Sequence, residues 1–108
     1  MNEQMKRELV EGITNALGDS VLSIILYGSV ARGTELKNSD VDIAVLLADE
    51  LDSALEDRLS DFIVDMNLEY DKVFSVIDIN IEKFKKWESV LPFYQNVSKE
   101  GVVLWRAA

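Results

Sequence analysis

Three short apolar runs constrain this chain more than any other feature of its sequence. They are rich in β-branched residues, are bounded by polar or turn-forming residues, and cover residues 21–27, 41–48 and 72–79. Runs of this length and composition predict buried strands. Because segments with helical periodicity separate them, we expect an α/β structure in which helices cover at least one face of a sheet.

Apolar residues at helical spacing predict four helices around these strands. The predicted helices cover residues 3–17, 51–66, 81–87 and 91–100. Gly18 follows the first helix as a terminator, Asp49 is the predicted N-cap of the second, and Asn80 is that of the third. Gly101 stands where a C-terminal cap of the last helix is expected.

The order of predicted elements is helix, strand, turn, strand, helix, strand and two helices. Residues 28–39 join the first two strands, and this connection is too short for the crossover that parallel neighbours require. We therefore expect an antiparallel first pair and a mixed sheet. No repeat, low-complexity tract or linker-like segment divides the sequence, so residues 1–108 are predicted to form a single domain.

The chain has no cysteine and no histidine. The first absence excludes disulfides, thiolate catalysis and zinc sites with cysteine ligands, and the second excludes imidazole bases and histidine metal clusters. An enzyme with this sequence must therefore use carboxylates, hydroxyls, backbone amides, lysine or arginine.

The formal net charge of the chain is −9 at pH 7. Binding to a nucleic-acid backbone depends on clustered lysine and arginine, so no direct nucleic-acid binding is expected. A small phosphate ligand held together with a metal ion is compatible with this charge. No stretch of about 20 apolar residues is present and the N-terminal residues are polar, so we expect no membrane span, no signal peptide and a cytoplasmic location.

The residues that carry chemistry are concentrated between positions 27 and 42, where Gly28 and Ser29 are followed after ten residues by Asp40 and Asp42. Since side chains alternate between the faces of a strand, two aspartates two positions apart point the same way. Their separation of roughly 6.6 Å along a strand lets them share a divalent cation. With oxygen ligands alone, Mg²⁺ or Mn²⁺ is the expected metal.

The glycine–serine turn is the other half of this pattern. Gly28 has no Cβ, so backbone N–H groups at the turn can approach an anion closely, and the Ser29 hydroxyl adds a donor. Arg32 can reach a terminal phosphate. With the two aspartates, the turn predicts a site for a metal-bound nucleoside triphosphate whose α-phosphorus is attacked by a hydroxyl group. The alternative interpretation is a turn glycine, a capping serine and two solvated aspartates at a strand end.

The stretch YGSVARG followed by SDVDIAV resembles the minimal nucleotidyltransferases of the DNA polymerase β superfamily, which carry Gly-Ser, ten residues and Asp-x-Asp. The resemblance implies the nucleotidyltransferase fold, a Mg²⁺ requirement and transfer of a nucleotide, commonly AMP from ATP. It assigns phosphate binding to Gly28 and Ser29, and metal binding and catalysis to Asp40 and Asp42. Minimal members often act beside a helical HEPN-type toxin, as the antitoxin that can attach AMP to a toxin tyrosine.

In the wider superfamily a third carboxylate on a later strand helps to activate the acceptor hydroxyl, and this sequence matches it poorly. The third predicted strand offers Ser75 and, near its end, Asp78. If Ser75 occupies the expected position, the third carboxylate is absent. An antitoxin that neutralises its partner by contact alone is therefore the alternative function. A transferase acting on a small hydroxylated molecule is a third hypothesis, which needs a further substrate wall that a homo-oligomer could supply.

Overall fold

The computed structural model of the protein describes residues 1–36 and 39–108. The helices are α1 (Glu3–Leu17), α2 (Gly28–Arg32), α3 (Ser53–Tyr70), α4 (Ile81–Trp87) and α5 (Pro92–Glu100). The strands are β1 (Val21–Tyr27), β2 (Val41–Leu47), β3 (Phe74–Asn80) and β4 (Val102–Arg106), and a 3₁₀ turn at Gly18–Ser20 joins α1 to β1. Within the residues described, no helix combines the length and the apolar composition that crossing a membrane requires.

The strands form a four-stranded sheet in the order β3-β2-β1-β4. β1 is antiparallel to both β2 and β4, whereas β2 and β3 are parallel. The prediction of a mixed sheet with an antiparallel first pair is confirmed. Because β1 and β2 are the two central strands, α2, which follows β1 directly, lies at one end of the sheet, near its middle.

Helices pack on both faces of this sheet. On one face α1 and α3 enclose a core in which Leu9, Ile13 and Ile43 are fully buried. On the other face α4 and α5 contribute Phe84 and Val97 to a second core. Burial on both faces explains why the strand sequences are apolar almost throughout.

Side-chain caps determine where α3 and α4 begin. Asp52 accepts a hydrogen bond from the backbone N–H of Leu55 at 2.8 Å and caps α3. The predicted capping by Asp49 is therefore wrong, because the chain bends at that residue and stays non-helical until the position after Asp52. Asn80 accepts hydrogen bonds from N–H groups in the first turn of α4, which confirms the predicted cap.

The last strand, β4, differs from the prediction, which ended with two helices. Its apolar run at residues 102–105 is typical of a strand, but it belongs to no predicted element. In the structure its residues are half-buried or exposed and pair with β1. Gly101 caps α5 as predicted, but with φ −68 rather than in the left-handed conformation. A Cβ there would collide with the carbonyl of Val97 and the side chain of Ile25, so this glycine permits the close approach of α5 to β1.

Candidate functional site

The turn predicted to bind phosphate lies where β1 ends. β1 runs directly into α2, and Gly28 at the junction has φ +74. This is the left-handed region, which glycine adopts without strain. A Cβ at Gly28 would collide with the carboxylate of Asp42. The glycine therefore lets a carboxylate lie directly against the turn.

Asp42 belongs to a row of three side chains that crosses the sheet at this end. Its Cα partners are Tyr27 on β1 and Ser75 on β3. The Ser75 hydroxyl donates a hydrogen bond to Oδ2 of Asp40 at 3.3 Å. Since Asp40 precedes Asp42 by two positions, both carboxylates lie on the same side of the sheet, beside Ser75. The structure thus brings the two predicted aspartates together next to the turn.

The negative charge of Asp42 is poorly compensated. Burial raises the pKa of its carboxyl, the charge of Asp40 raises it further, and the Arg32 guanidinium opposes both effects. Burial and the nearby Asp42 charge also raise the pKa of the Tyr27 hydroxyl. A cation between the aspartates would stabilise their charged forms, so the electrostatics of this end favour a bound metal ion.

Arg32 ends α2, one helical turn after Gly28, and forms an ion pair with α5. Its Nη1 atom lies 3.2 Å from Oε2 of Glu100, and the two side chains are 47% and 41% exposed. Gly33, with φ +72, follows it and ends the helix. Ser29 and Arg32 therefore lie near the start and at the end of a short helix that begins against Asp42.

Asp78 lies away from the aspartate pair. It follows Ser75 by three positions on β3, so its side chain lies on the opposite face, where α3 packs. There it lines a cleft with Glu56 and Leu59. Residues 1–36 and 39–108 contain no group of three acidic side chains that could hold a metal ion. The position beside Asp42 on β3 is filled by a hydroxyl.

Two contacts at this end have no counterpart in the sequence analysis. Phe93 packs edge-to-face on Tyr27 with ring centroids 5.5 Å apart, and Glu100 pairs with Arg32. Both come from α5, far along the chain, and no local pattern marks them. The position of Tyr27 opposite Asp42 could have been found from the predicted antiparallel pairing.

The family model of the nucleotidyltransferase domain matches residues 7–104 of this chain. The chain belongs to this family. The protein adenylyltransferase MntA of Shewanella oneidensis is 33% identical over 82 residues, which are 76% of this chain and 52% of that protein. A candidate protein adenylyltransferase of Methanocaldococcus jannaschii is 33% identical over 109 aligned residues, 97% of this chain and 100% of that protein. The chain thus spans about half the length of MntA and all of the archaeal relative.

Solved structures share the fold of this nucleotidyltransferase domain. A toxin–antitoxin complex with AMP-PNP matches with a TM-score of 0.67 and 25% identity, covering 94% of this chain and 73% of that chain. A tri-AMPylated Shewanella oneidensis HEPN toxin in complex with an MNT antitoxin matches with a TM-score of 0.61 and 21% identity, covering 99% and 74%. The predicted nucleotidyltransferase fold is confirmed. The family and the names of these relatives are those of nucleotidyltransferases, the enzyme class predicted from the sequence.

The donor atoms at this end of the nucleotidyltransferase domain suit a hard divalent cation. Asp40 and Asp42 offer carboxylate oxygens on one side of β2, and Ser75 adds a hydroxyl oxygen nearby. The sequence contains neither histidine nor cysteine, so softer metals have no preferred ligands here. Mg²⁺ and Mn²⁺ both fit this set of oxygen ligands.

Proposed function

We propose that this nucleotidyltransferase transfers AMP from ATP to a hydroxyl group of a protein, and that the acceptor is a tyrosine of a HEPN-type toxin. One observation carries the proposal: Gly28 lies so close to the Asp42 carboxylate that a Cβ would not fit between them. A metal ion and the triphosphate that it neutralises share oxygen atoms, so they need adjoining sites. The turn and the aspartate pair provide such sites.

Each residue of the site has a distinct role in this proposal. Asp40 and Asp42 hold Mg²⁺ or Mn²⁺, which when bound neutralises phosphate charge and makes the acceptor hydroxyl more acidic. Ser29 donates a hydrogen bond to a phosphate oxygen. Arg32 exchanges its partner Glu100 for a phosphate group, because charge-assisted hydrogen bonds to phosphate are strong.

The transfer forms one bond and breaks another. The acceptor oxygen bonds to the α-phosphorus, the bond from that phosphorus to the oxygen bridging to the β-phosphate breaks, pyrophosphate leaves, and the hydroxyl proton passes to solvent.

The hydrogen bond from Ser75 restricts the Asp40 carboxylate to one side of the site. Such positioning lowers the barrier by holding the reacting groups in place before the step occurs.

The relatives support the choice of AMP and of a toxin as acceptor. Both curated relatives are named as protein adenylyltransferases, one of them as a candidate. Structures of the same fold include a complex with AMP-PNP and one with an AMPylated HEPN toxin. Since this chain spans about half of MntA, the activity, substrate and partner are proposed for it here on the basis of its own site.

Intact-mass measurement of the acceptor tests the proposal. The chain is incubated with ATP, Mg²⁺ and a HEPN-type toxin, and the toxin is expected to gain the mass of one or more AMP groups. Asp42→Asn should abolish the gain, whereas Asp65→Asn, on the exposed side of α3, should retain it. Undiminished transfer by Asp42→Asn, or no transfer by the wild-type chain, would contradict the proposal.

An antitoxin that acts by contact alone is the second candidate. It is favoured by the residue beside Asp42 on β3, which is Ser75: this position carries a hydroxyl and no third carboxylate. In this case the chain and its Asp42→Asn variant would inhibit the toxin equally, with or without ATP, and the toxin mass would not change. Inhibition that needs both ATP and Asp42 would exclude it.

A further inference from the structure

An apolar surface adjoins the aspartate pair on the same face of the sheet. The next side chains along this face are those of Ala44 on β2 and Ile77 on β3, which are Cα partners. Ala44 is buried, but Ile77 is 42% exposed. An exposed aliphatic side chain next to two carboxylates suits a ligand that has both a charged and an apolar part.

Phe93, at the start of α5, borders the same surface. Its ring packs edge-to-face on Tyr27 and on Tyr94, with centroids 5.5 Å apart in both pairs. Tyr94 in turn packs on Phe84 at 5.9 Å. These contacts fix the position of the Phe93 ring, while 37% of the residue remains exposed to solvent. Phe93 therefore presents a fixed aromatic surface beside the row that contains Asp42.

Phe93 and Ile77 line one cleft of about 320 Å³. The cleft passes around β3, which is an edge strand, and therefore includes side chains from both faces of the sheet. Its charged residues are Asp49, Glu50, Glu56, Asp78 and Lys83. Four carboxylates would repel a triphosphate, whereas an uncharged ring meets no such repulsion. A nucleotide bound at the aspartate pair is therefore expected to direct its phosphates toward α2 and its base toward the cleft.

We infer that the base of the bound nucleotide stacks on Phe93, which makes this residue a determinant of affinity for the nucleoside part of the substrate. The inference rests on the proposed nucleotide site and extends it to α5. Stacking on an aromatic ring is tolerant of base identity, so Phe93 contributes affinity for nucleotides in general and orients the sugar toward the aspartates.

Comparison of two ligands separates contacts to the base from contacts to the phosphates. Calorimetry measures binding of Mg-ATP and of Mg-tripolyphosphate, which has no base, to the full chain. Phe93→Ala is expected to weaken ATP binding about tenfold and to leave tripolyphosphate binding unchanged. Phe93→Tyr keeps the ring and should retain ATP affinity. Leu68→Ala, which truncates a side chain that is 78% exposed on α3, is the matched control and should change neither ligand.

Kinetics provide a second measurement. The contact with the base is the same in the bound substrate and in the transition state, so Phe93→Ala should raise KM for ATP and leave kcat unchanged. Unchanged ATP affinity in Phe93→Ala would overturn the inference, and so would equal losses for both ligands, which indicate a disturbed fold. Normal ATP binding with slower transfer would also overturn it, because Phe93 would then contact the acceptor. If the wild-type chain binds neither ligand, the proposed function itself is contradicted.

Discussion

The guanidinium of Arg32 lies 3.2 Å from the carboxylate of Glu100, so the turn after β1 is tied to the last residue of α5. An ion pair between two half-exposed side chains contributes at most about 1 kcal/mol to folding. A bound triphosphate carries more negative charge than one carboxylate. We therefore expect Arg32 to leave Glu100 when a nucleotide binds.

Substitutions at the two ends of this ion pair should have opposite effects on nucleotide binding. Arg32→Ala is expected to weaken ATP binding about tenfold, because a charge-assisted hydrogen bond to phosphate is lost. Glu100→Gln should strengthen it about twofold, because Arg32 then has no competing carboxylate. Calorimetric titration with Mg-ATP measures both constants. Weaker binding by Glu100→Gln would indicate that Glu100 positions Arg32 instead of competing for it.

Gly28→Ala should destabilise the protein more than Gly33→Ala, although the two glycines have φ +74 and φ +72. Alanine in the left-handed region costs about 1 kcal/mol at either position. At Gly28 the new Cβ also collides with the Asp42 carboxylate, whereas the Cβ at Gly33 has no described atom within 4 Å. The melting temperature should fall by about 5 °C in Gly33→Ala and by clearly more in Gly28→Ala. Equal decreases would contradict the close packing at Gly28.

Asp42→Asn is expected to abolish transfer without lowering the melting temperature at pH 7. Burial, with the charge of Asp40, raises the folded-state pKa of Asp42 above 3.8. The stability contributed by this group is therefore complete below pH 3.8 and is lost as the pH rises through the folded-state pKa. The variant should be at least as stable as the wild type at pH 7. The difference in melting temperature between the two proteins should become smaller at about pH 3.5.

Magnesium provides the matching control for this prediction. Added Mg²⁺ should raise the melting temperature of the wild-type protein and not that of Asp42→Asn, because a ligand stabilises only the state that binds it. A clear loss of stability in Asp42→Asn at pH 7 without metal would show that its charge supports the fold.

Tyr70 connects α3 to α1, since its hydroxyl donates a hydrogen bond to Oε2 of Glu8 at 2.6 Å. This bond, more than burial, raises the pKa of Tyr70 to about 12, and the same bond lowers that of Glu8. The contribution of Tyr70 to stability is therefore complete below pH 10 and is lost as the pH rises through about 12. That of Glu8 is present above pH 4.5 and is lost in acid.

Tyr70→Phe should accordingly lower the melting temperature at pH 7 to 9, and the difference from the wild type should diminish in strong alkali and in acid. Thermal melts across this pH range measure the effect. Tyr94→Phe is the control, because it retains the ring that packs on Phe84. A difference between Tyr70→Phe and the wild type that does not vary with pH would contradict the ionic character of this bond.

Local patterns were sufficient to predict the central part of the fold. The three apolar runs became β1, β2 and β3, and the short connection between the first two correctly indicated an antiparallel pair. The alternation of side chains along a strand correctly placed Asp40 and Asp42 on one side. These features depend on residues that are close in sequence, which is why the sequence reveals them.

Features that depend on distant residues could not be predicted in this way. β4 has the apolar and β-branched residues of a strand, but its pairing with the distant β1 could not be inferred from them. The partners Arg32 and Glu100 are 68 positions apart. Whether Ser75 or Asp78 adjoins Asp42 depends on the register between β2 and β3. The roles of the site residues, the single domain over residues 1–108 and the cytoplasmic location stay predictions.

The placement of α5 against α2, and of β4 beside β1, has a consequence for biosynthesis. The turn and the aspartates are translated before the segments that brace them, which leave the ribosome about sixty residues later. A nascent chain that has exposed only the first three strands lacks the Arg32–Glu100 pair and the ring of Phe93. Competence to bind a nucleotide tightly would therefore be acquired only once α5 has emerged, after the carboxylates themselves.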